Sequence, residues 1–243
     1  RVTYWQELNL SLQQKQQILL LYLLNKDSFS QNKTRMIIVA DSGSTKTEWI
    51  TERLSVTTKG INPVRDTYEE ILCIINTELM PLLSSDSDKV TEIHFYGAGC
   101  REPFLQSVQK ALENTFTEAK VYVYSDLLGA ARALCNKKEG IACILGTGSN
   151  SCLCKDGQII QNVSPLGYIL GDEGSGAHLG RQLVSDCIKK QLPSNICEKF
   201  FSQYKLDVAS ILERVYYTPL PNRWLASFTP FLHENRENPE IKM

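Results

Sequence analysis

Histidine is scarce. The 243 residues hold only His94, His178 and His233, and the eight cysteines include no Cys-x-x-Cys pair, Cys152 and Cys154 being the only close two. A zinc site on paired ligands is therefore not expected, and the thiols read as reduced side chains of a cytoplasmic protein. Charge bias is missing as well. With 26 Lys+Arg against 27 Asp+Glu the formal net charge is −1, so no global field steers the chain to nucleic acid or anionic lipid. Long apolar runs are also lacking. Leu19 to Leu24 is too short to span a bilayer, and no small-residue cleavage site follows it, which argues against a signal peptide. At 42% hydrophobic and 22% charged residues, what remains is a globular chain with room for one large domain or two small ones.

What is present concentrates in residues 141 to 176. An apolar run, Ile141 to Leu145, suits a buried strand, and Gly146-Thr147-Gly148-Ser149 follows at once. Two glycines bracketing hydroxyl residues let a backbone approach an anion closely, so that turned N–H groups and hydroxyls face phosphate. Gly167 to Gly176 then packs four glycines and the carboxylates Asp172 and Glu173 into ten residues. Such a loop is expensive in chain entropy and adds little to a core. Two such loops within thirty residues point to a ligand site over a pair of plain turns.

Residues 1 to 35 differ from the rest: Gln- and Leu-rich, they read as a helix from about Trp5 to Leu24 and a polar linker from Asn25 to Arg35. They are either an extension ahead of a domain starting at Met36 or an N-terminal helix packed on it. Met36 to Ala40 is a strand, Asp41-Ser42-Gly43-Ser44-Thr45-Lys46-Thr47 a polar turn, and Glu48 to Ile50 the returning strand. The turn has hydroxyls and amides for phosphate oxygens, and Asp41 is a candidate for hydrated Mg²⁺; it is not a Walker A loop. A plain polar hairpin turn is the alternative. Asn62 precedes Pro63 and is held extended. Thr67 to Leu83 is an amphipathic helix, Val90 to Tyr96 a strand ending in Gly97-Ala98-Gly99, and Phe104 to Phe116 a helix. Val121 to Tyr124 is a strand that runs into Ser125-Asp126 and a small-residue helix to Cys135. Asp126 thus falls at the carboxyl end of a strand, where open α/β sheets bind ligands, while Ser125 or Asp126 could equally cap the helix. Helices are expected over Ser175 to Leu192, Ile196 to Tyr204 and Val208 to Tyr217, with Pro219, Pro221 and Pro230 punctuating the tail.

Four stretches in this order, DSGSTKT at Asp41, Ser125-Asp126 with its helix, ILGTGSNS at Ile144 and PLGYILGDEGSG at Pro165, resemble the N-acetylglucosamine kinase and BadF/BadG-type ATPase family. This is a branch of the actin, sugar-kinase and heat-shock chaperone superfamily, and the likeness covers about Met36 to Leu183. It implies an α/β, actin-like ATPase fold of ribonuclease-H-like lobes: 36–140 the first lobe, 141–243 the start of a second, and 1–35 an extension. By position it implies ATP and phosphate contacts from Asp41, Gly43, Ser44, Thr45, Lys46, Gly146, Thr147 and Gly148, with Mg²⁺ held by Asp41 through water. Asn62, Ser149, Asn150, Gly167, Tyr168 and Asp172 would meet the sugar, and Asp126 would be the base. The partners implied are an amino sugar and ATP, with no nucleic acid or membrane; a homodimer is left open. Two departures stand out. Pro165-Leu166-Gly167-Tyr168 stands where sugar kinases of the family often carry a further Gly before the Gly-Trp-Gly of the sugar loop, which leaves the identity of the sugar open, and the late Gly-rich adenosine turn has no counterpart, which leads us to expect a truncated second lobe. The alternatives are an ATPase that activates a partner enzyme and a sugar- or nucleotide-binding module without turnover.

Overall fold

The computed structural model describes residues 36–43, 45–83 and 90–241. The helix expected over Trp5 to Leu24, its linker, and Ser44 lie outside these described residues. The chain divides into two compact units: the first runs to Ala142 and takes in Cys152–Asn162, and the second comprises Cys143–Ser151 and the chain from Val163 onward.

The first unit is built on a sheet of β1 (Met36–Ser42), β2 (Lys46–Ile50), β3 (Ser55–Lys59), β4 (Val90–Gly97) and β5 (Lys120–Ser125), in the order β3-β2-β1-β4-β5. The β1–β2 and β2–β3 pairs are antiparallel; β4 lies parallel to β1, and β5 parallel to β4. Strand β1 is central and buried on both faces, as its unbroken Ile-Ile-Val-Ala run requires. Its side chains alternate between two apolar clusters. Ile38 and Ala40 join Trp49, Phe95 and the helices α1 (Tyr68–Ile74) and α3 (Leu105–Thr115). Ile37 and Val39 join Ile50, Tyr96 and Ala133 of α4 (Asp126–Cys135). A period of two thus covers both faces.

The helix expected over Thr67 to Leu83 forms with one irregularity. Thr67 caps it in a reciprocal box with Glu70, but Ile75–Leu79 is a π-helical stretch before α2 (Met80–Leu83). Pro81 has no N–H to close the regular bond back to residue 77, and the ladder widens so that Met80 donates to the Ile75 carbonyl.

A second sheet contains β6 (Gly140–Leu145), β7 (Ser149–Lys155) and β8 (Gln158–Val163) in that order. Asp156 and Gly157 join the last two with φ of 52° and 70°, the left-handed pair that a two-residue hairpin turn needs. Apart from the stretch Cys143–Ser151, which carries the end of β6 and the start of β7, the second unit is helical: α5 (Gly167–Leu170), α6 (Gly176–Ile188), α7 (Ser194–Tyr204), α8 (Val208–Tyr216), α9 (Pro221–Ala226) and α10 (Thr229–Glu234). Its core gathers Phe200, Phe228 and Phe231 with Leu183, Val184 and Ile211, and Phe200 stacks edge-on against Phe201, Phe228 and Phe231. Gly180 is where α6 meets α9: a Cβ there would stand 1.9 Å from the Leu225 carbonyl oxygen. Helix α6 stops at Ile188, short of Leu192, because Lys190 turns left-handed and Gln191 donates back to Asp186. The prolines of the tail do more than punctuate it, since Pro221 and Pro230 open α9 and α10 in the first turn.

Candidate functional site

In the first unit, Ser42, Gly97 and Ser125 close β1, β4 and β5 in the same register. The chain leaves all three parallel strands at one carboxyl edge, the position where α/β sheets carry ligands. Strands β1 and β2 run further into the polar turn than their apolar residues suggest, leaving only residues 43–45 as its tip. Asp41 is therefore a half-buried strand residue, opposite Glu48 and beside Tyr96.

The four hydroxyls of that turn divide into two kinds. Ser42 and Thr47 are buried and hydrogen-bond each other at 2.6 Å. Ser42 accepts from the Ile61 N–H at 3.0 Å, and the two hydroxyl protons are shared among the Ser42–Thr47 contact, the Ile61 carbonyl 2.9 Å from Ser42 and the Lys59 carbonyl 3.2 Å from Thr47. These two hold the turn to the chain after β3. Ser44 lies outside the described residues. Thr45 is exposed, and among the described residues neither its N–H nor its hydroxyl has a hydrogen-bond partner. Lys46 reaches back to an ion pair with Glu48. Gly60, which sequence reasoning passed over, makes the arrangement possible: its N–H donates to the Thr45 carbonyl at 3.0 Å, and a Cβ there would lie 2.5 Å from the Gly43 carbonyl oxygen.

Asn62 follows directly. Its N–H donates to Asp66 at 2.8 Å and its side-chain oxygen accepts from the Val64 N–H at 3.1 Å. Gly99, with φ of +80°, leaves room for it. Asp126 opens α4, and the structure settles which residue caps that helix: the Ser125 hydroxyl accepts from the Leu128 N–H at 3.3 Å. Asp126 sits one residue inside, half-buried, one oxygen accepting from the Leu127 N–H at 2.8 Å. Burial pushes its carboxyl above the usual carboxylate value, partly offset by the amides of Leu127 and Asp126 itself. The nearby Cys100 thiol is pushed up to about 12, by burial first and then by the Asp126 charge, so it stays a neutral neighbour. Glycine at 129 lets α4 lie against Tyr96, whose ring atoms a Cβ would meet at 3.0 Å.

In the second unit, the turn Gly146-Thr147-Gly148 rests on the start of α6. Gly176 N–H donates to the Gly146 carbonyl at 2.8 Å and Ala177 N–H to the Thr147 carbonyl at 3.1 Å, and the turn closes on itself from Gly146 N–H to the Gly148 carbonyl. Asp172, buried and left-handed at φ 57°, accepts from the Ser149 N–H at 3.3 Å. The want of a side chain at Gly148 is explained here: a Cβ would stand 2.9 Å from the Asp172 carboxylate. The two Gly-rich loops of the sequence are thus one assembly. Ser175 caps α6 by accepting from His178 N–H. Asn150 lies in β7 beside Ser149. Gly167 and the half-buried Tyr168 open α5, and Arg181 donates to the Tyr168 carbonyl at 3.0 Å.

Both turns suit a phosphate. Among the described residues the amides of Thr147 and Gly148 and the Thr147 hydroxyl have no hydrogen-bond partner, as at Thr45, so each turn keeps donors to spare. Asp41 lies on the carboxyl edge beside the first turn. Among the described residues no group of three or more His, Cys, Asp or Glu could hold a metal by itself, and none of the eight cysteines is in a disulfide. No described helix is long and apolar enough to cross a membrane.

No protein-family profile matches the chain, and no curated protein does. Solved structures do. A candidate N-acetylglucosamine kinase from Porphyromonas gingivalis superposes with a TM-score of 0.82 at 44% identity, over 85% of this chain and 75% of that one. A second, from Chromobacterium violaceum, gives 0.60 at 18% over 86% and 77%. A transcriptional regulator of the ROK family gives 0.51 at 12% over 84% of this chain. The last two speak to the fold alone, which is the actin-like ATPase fold that sugar kinases share. The first goes further: the chain belongs to the N-acetylglucosamine kinase family.

Proposed function

We propose that this protein transfers a phosphoryl group from ATP to a hydroxyl of an amino sugar of the N-acetylglucosamine class. The observation that carries the reading is Asp126. Its carboxyl is half-buried, raised by burial, placed at the carboxyl edge of three parallel strands, and spared from capping by Ser125. A carboxylate in that setting can take the proton of an attacking hydroxyl, a role worth about 10²–10⁴-fold in rate. The 44% identity to the P. gingivalis protein supports the sugar-kinase class.

The remaining groups position the substrates. In the first unit, Gly43, Ser44, Thr45 and Lys46 would meet phosphate, and Asn62 the sugar. In the second, Gly146, Thr147 and Gly148 would meet phosphate, with Ser149, Asn150, Gly167, Tyr168 and Asp172 toward the sugar. Asp172 also stiffens the second turn through Ser149. ATP and Mg²⁺, when bound, supply the phosphoryl group and neutralise charge on its oxygens. Asp41 would hold the ion through water, and the amides of both turns would receive phosphate oxygens.

The test is product formation. Mg-ATP with N-acetylglucosamine should yield a phosphorylated sugar by mass spectrometry, together with ADP. ATP hydrolysis indifferent to sugar would favour the partner-activating ATPase, and no turnover with retained binding would favour the binding module. Asp126 must be ionised to act, and its value lies above the usual one, so turnover should fall on acidification with a midpoint above the ordinary carboxylate value of about 4. A midpoint at or below that value would exclude Asp126 as the group being titrated.

A further inference from the structure

Asn62 sits in a short loop that settles which of its polar atoms remain for a ligand. Its carbonyl accepts from the N–H groups of Arg65 (2.9 Å) and Asp66 (2.8 Å). Its own N–H is taken by Asp66 Oδ2 at 2.8 Å, and its side-chain oxygen by Val64 N–H at 3.1 Å. The Val64 N–H needs an acceptor, which fixes the amide orientation. Only Nδ2 is left, and among the described residues it has no partner.

Two residues outside the recognised motifs impose this state. Asp66 is half-buried and ties the loop to itself, held by Arg65 Nε at 2.7 Å and Nη2 at 3.0 Å. Burial alone would raise its carboxyl. The hydrogen bonds from Arg65 and the Asn62 N–H, with the charges of Arg65 and Lys59, outweigh that and hold it below the usual carboxylate value. Gly99 sits against the amide from the end of β4: a Cβ there would lie 2.3 Å from Asn62 Oδ1, and its φ of +80° suits glycine.

We infer that Asp66 is a positioning residue for the sugar subsite, holding Asn62 as a hydrogen-bond donor that meets an acceptor oxygen of the substrate, with Gly99 keeping the space clear. This rests on the sugar-kinase reading. Asp66 does not touch the substrate; it acts through Asn62, and its effect should fall on sugar affinity and leave the chemical step alone.

A double-mutant cycle tests it. N-acetylglucosamine is titrated calorimetrically into the unmodified chain, Asp66→Ala, Asn62→Ala and the double variant, with a non-hydrolysable ATP analogue and thermal melts run in parallel. Asp66→Ala and Asn62→Ala should each weaken sugar binding about tenfold, and the double variant no further than Asn62→Ala alone. Analogue affinity should be unchanged in all. Asp66→Asn, which keeps an acceptor for the Asn62 N–H, should recover most of the loss, and it decides the cycle in the same way if Asp66→Ala does not fold. Sugar affinity untouched by Asp66 substitution, or losses that multiply in the double variant, overturn this inference alone. No sugar binding by the unmodified chain overturns the kinase reading and this inference with it.

Discussion

The turns after β1 and after β6 offer spare donors of the same kind but are held in different ways. The turn after β1 is fixed by buried hydroxyls: Ser42 and Thr47 bond each other and the chain at Ile61 and Lys59, and Gly60 packs its backbone against the tip. The turn after β6 is fixed by a helix start, with the amides of Gly176 and Ala177 on its carbonyls and the Asp172 carboxylate below Gly148. The first support belongs to a layered sheet covered on both faces, and the second to a helical core. A phosphate-ready backbone turn is therefore not the property of one local motif. What it requires is that its carbonyls be satisfied from behind so that its amides stay unspent.

The largest expected effect separates the cores. Phe200→Ala removes the centre of the aromatic cluster of the second unit and should lower its stability by about 3–5 kcal/mol. The sheet of the first unit should be affected less. Urea unfolding followed at the amides of each unit by hydrogen exchange reads both, and equal losses in the two would show that they unfold as one.

The next substitutions set one turn against the other. Gly60→Ala meets backbone atoms at 2.5–2.7 Å, which cannot move aside, whereas Gly148→Ala meets only the Asp172 side chain at 2.9–3.1 Å. We expect losses of about 2–3 kcal/mol for the first and about 1 kcal/mol for the second. Both should weaken ATP-analogue binding. Thermal denaturation with a nucleotide titration measures the pair, and a reversed order would contradict the account of how the turns are supported. Smaller still, Ser125→Ala removes the cap of α4 and should reduce stability by about 1 kcal/mol, with sugar affinity kept. A change near zero would mean that Asp126 caps the helix after all.

How far the sequence could be read follows the same division. Apolar runs located β1, β4, β5 and β6; β1 and most of β4 are buried, as such runs lead one to expect, whereas β5 and β6 are only partly covered, with Tyr122, Ile141 and Leu145 exposed. Their ends were cut one or two residues short, since Ser42, Gly97 and Ser125 continue the ladder with small or polar side chains. The β7–β8 hairpin was passed over although Asp156-Gly157 is a strong two-residue turn signal; β8 is largely exposed, so it lacks the apolar run that drew the eye elsewhere. The π-helical stretch needed Pro81 to be read as a missing donor inside a helix. In the site, Asp126, Asn62 and both turns were legible as local patterns. Gly60, Gly99 and Asp66 were not, because their importance lies in approaches between segments far apart in the chain, or in a hydrogen bond that only the folded loop makes.

The central claim is that Asp126 serves chemistry and not the fold, and Asp126→Asn tests it most directly. The amide can still accept from the Leu127 N–H, and Ser125 still caps α4. Because the native carboxyl lies above its unfolded value, ionised Asp126 weakens the native state at pH above the unfolded value, a penalty relieved as pH falls through the native value. Asparagine carries no such penalty, so at neutral pH the melting temperature should not drop. Sugar binding should stay close to that of the unmodified chain, while sugar-dependent turnover should fall by about 10²–10⁴-fold. Undiminished turnover, or a collapse of the melting temperature, would contradict the assignment.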